Sequence, residues 1–158
     1  MQEPVAPIDS DVAVRAEIRP SAWPVLAAIS LGGVLGALAR YGVSLALPHA
    51  PTGFPWSTFL INVSGCLLIG VLMVLVNEMR TGRLLRPFWG VGVLGGYTTF
   101  STYIIDIHQA MRAGAPGVAL AYLLATLVAA LLAVWAGTAM TAQVLAIARR
   151  RREQRRQR

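Results

Sequence analysis

Apolar positions in this chain neither alternate nor recur as a narrow stripe; they come in four long runs separated by short polar linkers. The runs cover about residues 23–47, 56–76, 87–111 and 117–147, each near or above the roughly 20 helical residues that cross a hydrocarbon core. The linkers, 49–55, 77–86 and 112–116, leave no room for a soluble domain between the runs. Trp23, Trp56 and Trp89 fall near the proposed helix ends, where indole rings settle at a membrane–water boundary. The pattern predicts an all-α membrane domain over 23–147, flanked by a mobile polar N-terminal tail (1–22) and a basic C-terminal tail (148–158).

Composition agrees with that pattern. Apolar residues make up 56% of the 158 positions and charged residues 13%, against roughly 25% charged in soluble domains. A soluble domain of this size has too little core to hide so much apolar surface. The first twenty residues carry Glu3, Asp9, Asp11, Arg15, Glu17 and Arg19, unlike the basic start and apolar middle of a secretory signal. Cys66 is the single cysteine, which excludes an internal disulfide.

The net charge of +7 is carried by fourteen basic residues, all arginine and mostly outside the apolar runs. Half of them lie between Arg149 and Arg158, directly after an apolar run, where they suit anionic lipid rather than nucleic acid. Four crossings put both termini on one side, together with Arg15, Arg19, Arg80, Arg83 and Arg86; the other side holds Arg112 and His49. Arginine bias thus predicts a multi-pass plasma-membrane protein with both termini in the cytoplasm.

One span is unsuited to being a continuous helix. Residues 95–103 read Gly-Gly-Tyr-Thr-Thr-Phe-Ser-Thr-Tyr, and each glycine weakens a helix by about 1 kcal/mol relative to alanine. A break there frees backbone carbonyls, which survive at membrane depth only when buried in protein or lining a cavity. Freed carbonyls are natural ligands for a small cation, and half-helix N-termini attract anions. The alternative is that the hydroxyls bond back one turn and the glycines serve packing. Phe100 and Tyr103 share a helix face, and their ring edges carry partial positive charge suited to an anion, or to ordinary packing.

Other spans add isolated polar groups. Asn62 offers two N–H donors within the second span, for an anion or for another helix. Arg40 lies two turns inside the end of the first span, deep enough for function and shallow enough to snorkel to lipid head groups. Tyr122 and Thr126 place two hydroxyls on one face of the fourth span, with Ala130 next on that stripe. Gly32 and Gly36 form a Gly-xxx-Gly close-packing pair. No cluster of His, Cys, Asp and Glu has metal-ligand spacing, no phosphate loop follows a strand, and Asp106 is the carboxylate within a span. Enzymatic chemistry is therefore not expected.

Three segments in order, Gly32-Gly33-Val34-Leu35-Gly36-Ala37-Leu38-Ala39-Arg40-Tyr41, Thr58-Phe59-Leu60-Ile61-Asn62-Val63-Ser64-Gly65 and Gly95 through Tyr103, resemble the CrcB/Fluc family of fluoride channels. The resemblance covers roughly residues 31–126. It implies a passive fluoride channel, an antiparallel dimer of four-helix subunits with two pores and a structural sodium ion held by carbonyls at Gly95 and Thr98. It implies a fluoride pathway lined by Asn62, Phe100, Ser101, Thr102, Tyr103, Tyr122 and Thr126, with Arg40 in a structural or electrostatic role. Passive exit suits fluoride that entered as neutral HF, since an inside-negative potential favours anion efflux by about 2.3 kcal/mol per 100 mV.

Two features depart from the family pattern. Tyr103 stands where phenylalanine is usual, and the arginine bias favours one orientation, whereas an antiparallel homodimer needs both. The expected partner is therefore a homodimeric copy or, to satisfy the bias, an oppositely oriented family member. Rival functions are a non-conducting accessory subunit and a small multidrug-type transporter. The second needs a carboxylate in its first span for proton coupling, and the first span here has none.

Overall fold

A computed structural model describes residues 22–78 and 82–156. The N-terminal tail with Arg15 and Arg19, Arg80 of the second linker and Arg158 lie outside the described residues. All regular structure among the described residues is helical: α1 (Trp23–Ala46), α2 (Trp56–Glu78), a π-helical α3 (Pro87–Leu94), a single turn α4 (Gly95–Tyr97), α5 (Ser101–Arg112) and α6 (Pro116–Arg156). Helices α1, α2 and α6 are long and apolar enough to cross a membrane.

The apolar run at 87–111 is interrupted by a non-helical stretch at Thr98–Thr99, with α3 running directly into α4 before it and α5 following it. Thr98 adopts φ −74° and ψ 156°, so the helix ends there and restarts at Ser101. Pro87 begins α3 at a position where its missing N–H costs nothing. The wide turns of α3, with their i→i+5 hydrogen bonds, are a form that favours functional positions.

The last helix extends past the apolar run and through the arginines. Its 41 residues correspond to about 62 Å at 1.5 Å per residue, roughly twice a hydrocarbon core. Arg149 on this extension pairs with Glu78 at the end of α2, so the start of the basic segment is tied to the bundle. Both partners keep substantial exposure, and such a pair is worth at most about 1 kcal/mol.

Packing falls into two groups of contacts, α1 against α3 and α4, and α2 and α5 against α6. Gly36 explains the first. A Cβ at Gly36 would meet the Val93 carbonyl oxygen and lie 2.8 Å from the Tyr97 nitrogen, so only a glycine lets these backbones touch. Apolar side chains such as Leu31, Leu38, Leu131 and Trp135 are more than half exposed. That outward apolar surface suits lipid or a partner subunit, which need no internal core to hide it.

Candidate functional site

The break is held from the side by α2. Asn62 Nδ2 donates to the Thr99 carbonyl at 2.9 Å, and the Thr99 N–H donates to Asn62 Oδ1 at 2.9 Å. One carboxamide thus satisfies both backbone groups of a residue that helix geometry has abandoned. Ser64 and Tyr97 share a hydroxyl hydrogen bond of 3.0 Å. Gly65 seats the Thr98 methyl, where a Cβ would collide. The run Asn62-Val63-Ser64-Gly65 is therefore a docking strip for Tyr97-Thr98-Thr99.

The clamp has a consequence for the carbonyls upstream. In a continuous helix the Thr99 N–H would donate to the Gly95 oxygen, but here it is taken by Asn62. The Thr102 N–H, which would serve the Thr98 oxygen, donates instead to Thr99 Oγ1 at 3.2 Å. Among the described residues, no backbone N–H donates to the carbonyls of Gly95 or Thr98. The two residues line a common groove.

The hydroxyls divide by role. Thr98 Oγ1 donates to the Leu94 carbonyl at 2.9 Å, the local back-bonding anticipated as the ordinary use of such residues. Thr99 Oγ1 donates to Thr102 Oγ1 at 3.0 Å and lies 3.3 Å from Ser101 Oγ, so these three form a knot at the start of α5. Tyr103 donates its hydroxyl to the Leu123 carbonyl of α6 at 2.8 Å. Its ring lies 6.0 Å from Phe100 and 5.1 Å from Tyr122 between centroids.

Beside the break is an open groove of about 390 Å³, lined by Asn62, Gly95, Thr98, Phe100, Tyr103 and Thr126 among others. Thr126 is the informative member. Its Oγ1 is buried and has no hydrogen-bond partner among the described residues. Thr138 and Thr141 on the same helix bond back to Val134 and Gly137, so α6 offers that escape and Thr126 does not take it. A buried hydroxyl without a partner costs free energy, and this one belongs to a residue that lines the groove.

The remaining predicted site residues lie away from the groove. Ser101 and Thr102 belong to the α5 knot, and Tyr122 is fully buried behind Tyr103. Arg40 sits on α1, half-buried, outside the groove lining. Sequence reasoning missed the part of Thr99, whose backbone is the clamped element; an asparagine in a neighbouring span is the signal that a peptide group needs a partner. It also gave no role to Asp106 and His49, which approach to 3.8 Å.

These features define a multi-pass helical membrane protein whose polar groups converge on a broken helix. Comparison with known sequences narrows the class. Residues 27–138 match the family described as CrcB-like protein, Camphor Resistance (CrcB). The chain is 53% identical over 122 residues to a protein of Streptomyces avermitilis named fluoride-specific ion channel FluC 2, covering 73% of this chain and 77% of that one. It is 52% identical over 136 residues to fluoride-specific ion channel FluC 2 of Nocardia farcinica, covering 85% of this chain and 97% of that one. A Thermobifida fusca protein of the same name is 52% identical over 132 residues, covering 83% and 98%. The chain belongs to the CrcB family.

Proposed function

We propose that this chain is a subunit of a fluoride channel that lowers cytoplasmic fluoride by passive efflux. The observation that carries the proposal is the unpartnered Thr126 hydroxyl, buried in a groove shared with Asn62 and the Phe100 and Tyr103 rings. Fluoride is small and strongly hydrated, so a pathway must replace water with donors. The Asn62 amide has a second N–H beyond the one given to Thr99, and the aromatic edges add partial positive charge. None of these groups carries a full charge that would trap the ion. The names of the relatives support fluoride as the permeant ion and a channel rather than an enzyme.

The groove is open on one side, and its neighbours include exposed Phe100 and Gly95. A second subunit is the natural cover, and an antiparallel arrangement brings two breaks together. The donor set fits a sodium ion there: hard carbonyl oxygens at Gly95 and Thr98, each without a backbone donor. When bound, such an ion would tie the two breaks together. The arginines of the 82–86 linker and of the α6 extension support termini in the cytoplasm, and with them an oppositely oriented family member as partner. Two relatives, FluC 2 and FluC 3, come from one organism, Streptomyces avermitilis, so more than one family member can occur in a single organism.

The test is fluoride efflux from liposomes, read with a fluoride electrode. Efflux that excludes chloride, from the chain alone or only with an oppositely oriented family member, is the expected result, and the two arms separate homodimer from heterodimer. Silence in both arms overturns conduction and leaves an accessory subunit.

A further inference from the structure

The end of α6 carries a surface that lies beyond the groove. Met140, Val144 and Ile147 are each more than half exposed, and the exposed Arg151 and Arg155 follow them on the same helix. The steps are four, three, four and four residues, so all five side chains share one face. The stripe starts past Ala130, the last α6 residue to line the groove.

Arg149 fixes where that face points. It follows Thr141 and Leu145, both half-buried, in steps of four, and it pairs with Glu78 of α2. Residues two apart on an α-helix point about 200° apart. Arg151 therefore points away from the bundle where Arg149 points into it. Glu153 follows Arg149 by four and falls on the bundle side, which leaves no carboxylate on the stripe. Glu78 also sets the depth. The 23 residues of α2 span about 34 Å, slightly more than a hydrocarbon core. Glu78 and its partner Arg149 thus stand at the level of the lipid head groups. Met140, Val144 and Ile147 precede that level along α6, and Arg151 and Arg155 lie about one and two turns past Ile147.

Apolar side chains followed by paired cations repeat the order of parts in a phospholipid, acyl chain first and phosphate next. We propose that this stripe binds an anionic phospholipid, with an acyl chain along Met140, Val144 and Ile147 and the phosphate between Arg151 and Arg155. Guanidinium groups match phosphate oxygens in a bidentate geometry. A nucleic acid would use the arginines and leave the apolar half of the stripe without a partner, so lipid fits the whole surface better. Under the orientation proposed above, the lipid belongs to the cytoplasmic leaflet, whose anionic head groups attract such segments.

The experiment is native mass spectrometry of the full-length chain in detergent micelles, with phosphatidylglycerol or phosphatidylcholine of the same acyl chains added. The wild type is expected to prefer phosphatidylglycerol by about 30-fold, the scale of two arginines at about 1 kcal/mol each. Arg151→Gln combined with Arg155→Gln should lose that factor and keep its binding of phosphatidylcholine, which shows that the variant is folded. Arg86→Gln combined with Arg112→Gln removes the same charge from exposed positions off α6 and should keep the preference. The inference is overturned if the α6 variant retains the preference, or if the control variant loses as much of it. Displacement of phosphatidylglycerol by equal glycerol phosphate would also overturn it, because the acyl chain would then contribute nothing. So would an RNA oligonucleotide that binds the wild type and that phosphatidylglycerol fails to displace.

Discussion

Replacing Asn62 with alanine removes both hydrogen bonds that hold Thr99 in place. Thr99 is buried, and its N–H and carbonyl have no helical partner to return to while the break persists. A net hydrogen bond is worth about 0.5–1.5 kcal/mol, and a buried group left unpaired costs about 1–3 kcal/mol. In membranes side-chain hydrogen bonds average about 0.6 kcal/mol, because the lipid-embedded unfolded state also finds partners. Two bonds on the backbone of one residue, without a substitute nearby, place the expected loss at about 2–4 kcal/mol. The assay is unfolding by sodium dodecyl sulfate titration in mixed micelles, run beside fluoride efflux. Thr99→Ala is the control: it keeps the backbone clamp and loses only the hydroxyl knot at the start of α5, for about 1 kcal/mol as in loss of a helix cap. Asn62→Ala should therefore be the more destabilised of the two and should conduct at least tenfold more slowly. If Asn62→Ala unfolds within about 0.5 kcal/mol of wild type, the clamp does not hold the break. Lost efflux with unchanged stability would mean that Asn62 acts on the ion alone.

Three further outcomes follow from the same geometry. Tyr103→Phe removes the bond to the Leu123 carbonyl and should cost about 0.6 kcal/mol in the micelle titration, with efflux retained because the ring edge remains. Gly36→Ala should separate α1 from the α3–α4 segment, whose backbone occupies the space a Cβ would need, and lower stability by about 2 kcal/mol or more by overpacking. Gly33→Ala, where a Cβ meets nothing within 4 Å, should leave the same titration unchanged. For topology, tags on either terminus should be accessible from the cytoplasmic side, and comparable access from both sides would refute orientation by arginine bias.

Much of the architecture was legible in the chain because membrane insertion is decided locally. Each residue adds its own transfer free energy, so long apolar runs announce spans, while arginine-rich ends give only an expectation of orientation. The double glycine at 95–96 likewise announced a weakness in one helix, for reasons of backbone entropy that need no neighbour. The break itself begins three residues later, at Thr98. That offset was not legible, since it is set by what α2 offers alongside and not by the glycines.

Pairing across space was the part that required the fold. Asn62 and Thr99 are 37 positions apart, and nothing in either segment names the other as its partner. Four hydroxyl residues within five positions read alike, yet Thr98 bonds back to its own helix while Thr99, Ser101 and Thr102 tie one another together. Thr126 looked like any helical threonine until its surroundings showed a buried hydroxyl that bonds to nothing among the described residues. Asp106 and His49 were two isolated titratable residues until the first linker folded over α5. Hydropathy, charge bias and glycine content are sums over single residues, so the chain by itself determined spans, expected orientation and the neighbourhood of the break. Hydrogen bonds act over about 3 Å, so only helix packing could decide which polar groups hold the backbone and which are left without a partner.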